Sequence, residues 1–398
     1  MRELGDQIKP LFAQVLMTCD RLGLIGATMF AIDGVKLPAN ASKERSGTHA
    51  ELRHRAERLD KAAQKIIERH RSCDNASAEP DLDDQRWAQA QALQREAQVT
   101  RDFVARTAPR RNRKGAELKA NVTDNDSAKM ATAKGVIQGY AAQAAVDSDH
   151  QIIVAADVTG SGSEQAMLLT MVEQTAAVRR ADTLITADAG YHSKENLAAL
   201  CERGIPALIA DHQMRQRDAR FAAQARHKAK PDPLHDKRGA NAAPARRYRP
   251  HDFLPDPDSN SCICPAGQRL YSNGSRCQAG GHVYHKYTGS QASCGPCAQR
   301  DQCLRHPQRT AVRQVAIFYG QQATAQQPSE RMKRAIDSPR GRALYGQRIA
   351  TVEPVFANLR HNKRLNRFTL RGKSKVTTQW QLYCLVHNIE KLAHCGYQ

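Results

Sequence analysis

The spacing of apolar and polar positions divides the first quarter of the chain into helical segments and one strand. Residues 1–25, 49–71 and 84–107 carry apolar side chains at helical spacing, which predicts three helices. The stretch "ATMFAIDGVKLPANAS" changes instead to a short apolar run that ends at Asp33 and Gly34. This change predicts a buried strand with a carboxylate at its end, followed by a helical hairpin.

The segment up to residue 211 alternates between strands and helices. In "KGVIQGYAAQAAVDSDHQIIVAADVTG", two apolar runs meet at a polar turn over 147–149, which predicts a β-hairpin. A helix over 163–180, a strand in "TLITADAG", a helix in "SKENLAALCERG" and a strand in "IPALIAD" are expected next. This order predicts an α/β fold in which an antiparallel hairpin is part of a mixed sheet with flanking helices.

The periodicity is lost after residue 211 and returns near the C-terminus, where helices are expected at about 329–362 and 375–394. Residues 211–261 are rich in Arg, Ala, Pro and His, which predicts an extended basic connection. The predicted organisation is an N-terminal helix and first core strand (1–48), a helical hairpin with a basic linker (49–120), core strands and helices (121–211), a basic connection with a cysteine-bearing insertion (212–328) and C-terminal helices (329–398).

The charge balance favours a polyanionic partner. The 398 residues include 60 Lys and Arg against 40 Asp and Glu, a net charge of +20. Nucleic acid is the commonest partner of such a chain, although a basic ribosome-associated or merely soluble protein is the alternative. The sequence has no apolar run long enough to span a membrane and no cleavable apolar segment at its start, so we expect a cytoplasmic protein.

Carboxylates at predicted strand ends are the first candidates for chemistry. Asp33 and Asp188 each follow an apolar run, and adjacent strand ends can bring two such groups to one cation. Their mutual repulsion calls for positive charge, and Mg²⁺ or Mn²⁺ prefers oxygen ligands. Glu353, on a basic helix, is the candidate third acid. Each acid taken alone could equally be a capped or salt-bridged carboxylate, and Asp157 competes with Asp33 for the first position.

The roles of His192 and of the cysteines each have an alternative explanation. For His192, a loop histidine that is hydrogen-bonded to the backbone is favoured over a ligand of metal or phosphate. Six of the eleven cysteines lie between 262 and 303, and their spacing suits a structural, tetrahedral Zn²⁺ site. The expected ligands are Cys264, Cys294, Cys297 and Cys303. Free thiols in a loose loop are the alternative, and a thioredoxin-like role for "CGPC" lacks the βαβ context that it needs.

Five ordered blocks resemble the signature of bacterial insertion-sequence transposases of the DDE type. They are "AIDGVKLPANAS", "NVTDNDSAKM", "GVIQGYAAQAAVD", "ITADAGYHSKENL" and "VEPVFANLRHNKRLNRFTLRGKSKVTTQWQLYCLVHNIEKL". The resemblance implies an RNase H-like core, with an insertion before the last acid, in which Asp33, Asp188 and Glu353 bind divalent metal. It also implies phosphate-gripping roles for Tyr345, Arg348 and Arg360. Further basic candidates for DNA binding are Lys363, Arg371 and Lys373.

The resemblance implies a nucleoid-associated enzyme that cleaves the element's terminal inverted repeats and joins them to target DNA. Because two ends must be held together, a homodimer on DNA is expected by analogy. Asp33 comes too early for the helical N-terminal domain that is usual in the family, so we expect that domain to be lacking. The alternatives are an inactive, zinc-stabilised DNA-binding remnant and a general RNase H-like nuclease.

Overall fold

The protein is described by a computed structural model that covers residues 5–73, 80–112, 115–133, 135–218, 220–221, 247–256, 258–274, 277–279, 282–318 and 327–395. The chain divides into two compact units. The first combines Met1–Asp236 with Met332–Gln398, and the second is Lys237–Arg331. The sequence placed the start of the insertion earlier, at 212, and its end at 328.

Both units contain helices and strands. The helices are α1 (Gly5–Arg21), α2 (His49–Cys73), α3 (Pro80–Arg106), α4 (Leu168–Gln174), α5 (Lys194–Glu202), α6 (Gln291–Cys294), α7 (Arg300–Cys303), α8 (Pro328–Asp337), α9 (Pro339–Ala357) and α10 (Lys373–Cys395). The strands are β1 (Met29–Pro38), β2 (Ser46–Gly47), β3 (Ala120–Asn121), β4 (Ala128–Thr132), β5 (Gly135–Asp147), β6 (Ile153–Thr159), β7 (Leu184–Ala187), β8 (Ala207–Ile209), β9 (Leu254–Asp256), β10 (Ser261–Ile263), β11 (Arg269–Ser272), β12 (Cys277–Ala279), β13 (His282–Thr288) and β14 (Gln314–Phe318).

The first unit is built on a mixed six-stranded sheet. Its order is β4-β5-β1-β7-β8, and β6 pairs with β5. Strands β1, β7 and β8 are parallel, whereas β5 is antiparallel to β1, β4 and β6. The expected hairpin is the β5–β6 pair, and the prediction of a mixed α/β fold is confirmed.

The first strand is longer than the sequence predicts. It continues past Gly34 because β5 pairs with it from Phe30 to Pro38, so Asp33 lies inside the strand and not at its end. The parallel pairing with β7, in contrast, stops at Ile32. Asp33 therefore lies at the position where β1 loses its parallel neighbour.

Two predicted helices are shorter than expected. The helix expected over 163–180 is only α4, preceded by a short 3-10 turn. The helix expected over 329–362 is divided at Ser338, whose hydroxyl accepts a hydrogen bond from the Gly341 backbone and whose next residue is Pro339. Both features start a helix, since the hydroxyl satisfies a free N–H and proline has none to satisfy. After α9 the chain continues as one π-helical turn.

Helices α9 and α10 are fastened to the sheet by packing and by buried hydrogen bonds. Helix α9 packs on β1, β5 and β7, and α10 packs on α1 and β6. The indole Nε1 of Trp380 donates to the Gln143 carbonyl oxygen at 2.8 Å, and the Asn388 amide bonds both the backbone N and O of Ile153 at 2.8 Å. These contacts hold the C-terminal helices in one position relative to the central strands.

The described part of the second unit forms an antiparallel sheet, in a region for which the sequence predicted an extended basic connection and a cysteine-bearing segment. The strand order is β12-β13-β11-β10-β9, and β14 pairs with β13. A small core stabilises it, made of Phe253, Cys262, Leu270, Tyr287 and Val315. Strands of three to seven residues are too short to produce a clear periodic signal, so the sequence predicted no strands here.

The buried His387 on α10 generates a testable pH dependence. Its Nδ1 contacts Asn358 Nδ2 at 3.0 Å and its Nε2 contacts the Gln151 carbonyl at 2.9 Å. Burial, with Lys391 and Lys363 nearby, lowers its pKa below the ordinary 6.5, although Glu390 opposes the shift. Because the unfolded chain binds the proton more tightly, this contribution to stability is present above pH 6.5 and is lost as the pH falls through the folded pKa.

We expect His387→Gln to remove part of the loss of stability that the parent shows between about pH 7 and pH 5. Urea denaturation followed by tryptophan fluorescence at several pH values measures it. The control is His394→Gln, since this histidine is exposed on the same helix. Equal slopes for His387→Gln and the parent would contradict the assignment.

Candidate active site

Asp33 and Asp188 lie side by side at the centre of the mixed sheet. Strands β1 and β7 pair in parallel up to Ile32 and Ala187, and the two aspartates are the next residues on each strand. Neighbouring strands are about 4.8 Å apart, so the register brings the two residues together. The Asp188 carboxylate accepts a hydrogen bond from Gly190 N at 2.8 Å and caps the turn Ala189–Tyr191.

Arg348 of α9 neutralises part of this charge. Its Nη1 donates to Asp33 Oδ2 at 2.9 Å, while Asp33 Oδ1 accepts from Gly34 N at 2.8 Å. The arginine residue is only 8% exposed. Burial and the Asp188 charge nevertheless raise the pKa of Asp33, against the opposing effect of Arg348. The two carboxylates therefore occupy a site that demands more positive charge than Arg348 supplies.

Glu353 is not brought to this pair. Arg348, Val352 and Val355 face the protein interior, whereas Glu353 is exposed. At about 100° per residue, Glu353 lies about 140° around the α9 axis from Arg348. The structure thus brings Asp33 and Asp188 together and leaves Glu353 on an exposed face of α9.

The structure brings a different acid to the site, Glu164. It lies in the loop between β6 and α4, and its pKa is raised by burial and by the charges of Asp188 and Asp33, while Lys36 lowers it. Sequence reasoning missed this residue because "GSGSEQ" has no strand-end pattern. The only available signal was an acid in a small-residue loop between a core strand and a helix.

Tyr191 and His192, which follow Asp188 in the chain, differ in their surroundings. Tyr191 is fully buried, its hydroxyl donates to Gln143 Oε1, and burial with the charges of Glu164, Asp33 and Asp188 raises its pKa. His192 accepts a hydrogen bond from Gln165 Nε2 through its backbone oxygen at 2.9 Å. Burial lowers the pKa of its imidazole, which favours the neutral form.

Only one of the other DNA-binding candidates joins the acids. The Tyr345 ring lies under the Arg348 guanidinium, 5.6 Å from ring centroid to Cζ. Arg371 and Lys373 are exposed at the start of α10, where Arg371 Nε donates to the Asn40 carbonyl oxygen at 2.9 Å. Arg360 lies in the π-helical turn.

Lys363 and Asp157 are both engaged by other side chains. The Lys363 side chain is 9% exposed and forms an ion pair with Glu390, so it is not a free surface cation. Asp157 lies on β6, one strand beyond β5, and accepts a hydrogen bond from Gln174 Nε2 at 3.3 Å. Because β5 separates it from β1, Asp157 does not compete with Asp33 for the site.

Four thiols approach one another within the second unit. Cys264, Cys294, Cys297 and Cys303 line a single cavity, and the other three raise the pKa of Cys303 in addition to burial. The Gln268 backbone N–H donates to Cys264 Sγ at 3.3 Å. Cys262 lies in the small core, against which Cys264 and Cys303 pack, and burial raises its pKa to about 11. The described cysteines are all free thiols.

The carboxylates of the Asp33–Asp188 pair and the four thiols are suitable metal ligands, although neither group is arranged around an ion. Within the described ranges, no three His, Cys, Asp or Glu side chains are close enough to hold an ion as they stand. Asp33 and Asp188 supply the hard oxygen ligands that Mg²⁺ or Mn²⁺ prefers, and two carboxylates beside the single Arg348 leave a negative charge that such an ion would neutralise. Four thiols around one cavity fit Zn²⁺ by number and type.

The fold and site define an α/β protein with a carboxylate pair between two parallel strands and an antiparallel, cysteine-bearing unit. Residues 263–393 match the family model described as "Transposase DDE domain". This match covers about a third of the chain, supports a DDE-type transposase and agrees with the resemblance seen in the sequence. No curated protein and no solved structure matched. None of the described helices is long and apolar enough to cross a membrane.

The Asp33–Arg348 contact is testable without any assumption about function. In a double-mutant cycle with Asp33→Asn and Arg348→Met, we expect a coupling energy of about 1–3 kcal/mol, because each partner is largely removed from water. Urea denaturation of the four proteins measures it. The exposed Arg203–Glu173 pair is the control and should give less than about 1 kcal/mol. Additive effects at Asp33 and Arg348 would show that the pair does not form.

Proposed function

We propose that this protein is a DNA transposase that cleaves the ends of an insertion sequence and joins them to target DNA, with a divalent cation bound at Asp33 and Asp188. The observation that carries this proposal is the meeting of these two acids at the end of the β1–β7 parallel pairing. The family match of residues 263–393 supports the class of reaction.

The strand order supports an RNase H-like core. In the six-stranded sheet, the strands other than the short edge strand β4 follow one another along the chain as β1, β5, β6, β7 and β8. Numbered one to five in that order, they lie side by side in the order three, two, one, four, five. The second strand is antiparallel to the first, and the fourth is parallel to it. This arrangement places the first strand, β1, next to the fourth, β7, so that the acids which follow their last paired residues lie close together.

In this reaction the chain's own residues bind, orient and neutralise. A bound divalent cation would activate a water or a 3′-hydroxyl and stabilise the leaving oxygen in an in-line displacement at phosphorus. Asp33 and Asp188 would hold that cation, and Arg348 keeps Asp33 in place from α9. Tyr345 positions the Arg348 guanidinium from one turn earlier on the helix. Glu353, which is exposed on α9, stays a proposed acid of the reaction because of the sequence resemblance.

The DNA partner is supported by charge. With a net charge of +20, the protein would gain affinity by releasing counterions from phosphates. Arg371 and Lys373 are exposed and therefore available to phosphate, and Arg360 lies on the preceding turn. We propose that they bind DNA without reading its sequence. Binding of two ends by a homodimer and association with the nucleoid are part of the same proposal.

We also propose that Cys264, Cys294, Cys297 and Cys303 bind one structural Zn²⁺. The four thiols line one cavity of a unit whose apolar core is small. A metal bound only by the folded state would add its binding free energy to the stability of that unit. The N–H that faces Cys264 Sγ would stabilise the thiolate.

The proposed activity is tested with DNA that carries the inverted repeats flanking the gene. We expect Asp188→Asn to lower the rate of Mg²⁺-dependent cleavage by at least about a hundredfold, since loss of a metal ligand should exceed the usual effect of an outer-shell change. Gel analysis of labelled ends measures cleavage and strand transfer. Asp157→Asn is the matched control, because this aspartate lies off the site.

The same assay separates the alternatives. DNA binding with no cleavage by the parent chain would favour an inactive DNA-binding remnant. Cleavage without joining of the 3′ end to unrelated DNA would favour a general nuclease.

The zinc proposal has its own test. We expect the purified chain to contain about one zinc ion per protein, and Cys297→Ser to lose it and to unfold its antiparallel unit at a lower urea concentration. Elemental analysis and denaturation measure the two effects. Cys277→Ser is the control, because this cysteine lies in the same unit but outside the four-thiol cavity. Equal zinc content in both variants would contradict the assignment.

A further inference from the structure

We infer that Glu164 is a third carboxylate of the cation site, and that it binds the divalent ion together with Asp188 and Asp33. This inference rests on the proposed function, because it adds a ligand to the site proposed there. Neither the family match, which begins at residue 263, nor the strand-end pattern assigns a role to this glutamate.

Hydrogen bonds fix the loop of Glu164 against the loop that follows Asp188. The next residue, Gln165, donates from its side chain to the His192 carbonyl oxygen at 2.9 Å. In the other direction, Asn196 Nδ2 donates to the carbonyl oxygens of Gln165 and Tyr191, each at 2.8 Å. Asn196 is itself only 6% exposed. The backbone at Glu164 is therefore held beside the site by contacts that do not involve its carboxylate.

The glycine at position 190 shows how close the two carboxylates are. A Cβ atom there would lie 3.0 Å from Asp188 Oδ1 and 3.5 Å from Glu164 Oε2, so these oxygen atoms are at most about 6.5 Å apart. Two oxygen ligands of one Mg²⁺ are up to about 4.2 Å apart, given bonds of about 2.1 Å. The remaining difference of at most about 2.3 Å is small for a glutamate side chain, which has three rotatable bonds.

A buried amide nearby lacks the partner that a ligand would supply. Gln143 is fully buried, and its Oε1 is taken by the Tyr191 hydroxyl. Its Nε2 lies close enough to the Glu164 carboxylate to lower the pKa of that group, yet completes no hydrogen bond in the part of the chain described. An unpaired buried N–H is costly, and a water on the cation or a phosphate oxygen would satisfy it.

The charges around Glu164 also favour a cation. Asp188 and Asp33 both act on the glutamate, and Lys36 is the basic side chain that opposes them. Arg348 is already bonded to Asp33. Three carboxylates against these two basic groups leave an excess of negative charge, which a divalent ion would neutralise. Glu353, in contrast, is exposed and lies on the far side of α9.

The test measures ion binding directly. Titration of the full chain with Mn²⁺, followed by the electron paramagnetic resonance signal of free Mn²⁺, gives a dissociation constant without any DNA. We expect Glu164→Gln to weaken Mn²⁺ binding by at least about tenfold, as Asp188→Asn does. Glu173→Gln is the matched control, since this glutamate on α4 forms only an exposed ion pair with Arg203 and should bind like the parent. Circular dichroism checks that each variant is folded.

The outcomes separate this inference from the proposed function. Parent-like Mn²⁺ binding by Glu164→Gln, with binding lost in Asp188→Asn, overturns the role of Glu164 alone. Parent-like binding by both variants overturns the cation site of the proposed function as well. Loss of binding in Glu353→Gln but not in Glu164→Gln assigns the third position to Glu353 and also overturns the inference. If Glu164→Gln does not fold, Glu164→Asp keeps the charge on a shorter side chain, and binding equal to that of the parent is then the overturning result.

Discussion

The parallel pairing of β1 with β7 is the constraint on which the site depends. It ends at Ile32 and Ala187, so the aspartates that follow face each other at the centre of the sheet. Two carboxylates held this way are unfavourable in a partly buried setting, and the raised pKa of Asp33 expresses that cost. The ion pair of Arg348 with Asp33 offsets part of that cost. The position of α9 therefore depends on this charge interaction as well as on packing.

The rest of the first unit holds this arrangement in place. Trp380 and Asn388 fix α10 to β5 and β6 through buried hydrogen bonds, and α9 packs on the same central strands. Ser338 and Pro339 start α9 at the position from which Arg348 reaches Asp33. The unfavourable charge pair is thus maintained by helices that apolar packing and buried hydrogen bonds hold against the sheet.

The second unit solves a different problem. Its strands are short and its core contains few side chains, so burial alone contributes little to its stability. Under the zinc proposal, the four thiols that line one cavity would give the unit a second source of stability, which would depend on bound metal. The family match extends from this unit into α10, so the cysteine-bearing segment and the helix of Arg348 and Glu353 fall within one family segment.

By itself the sequence determined the α/β order, the β5–β6 hairpin, the transposase resemblance and the candidacy of Asp33 and Asp188, because period, turn residues and motif blocks are local properties. It could not place Asp33 inside a longer strand, since β5 decides where β1 ends. It could not show that Glu353 faces outward or that Glu164 faces the acids, because the rotation of α9 and the approach of two loops are set by tertiary packing. Only the folded chain brings residues 33, 164 and 188 close enough for their charges to interact.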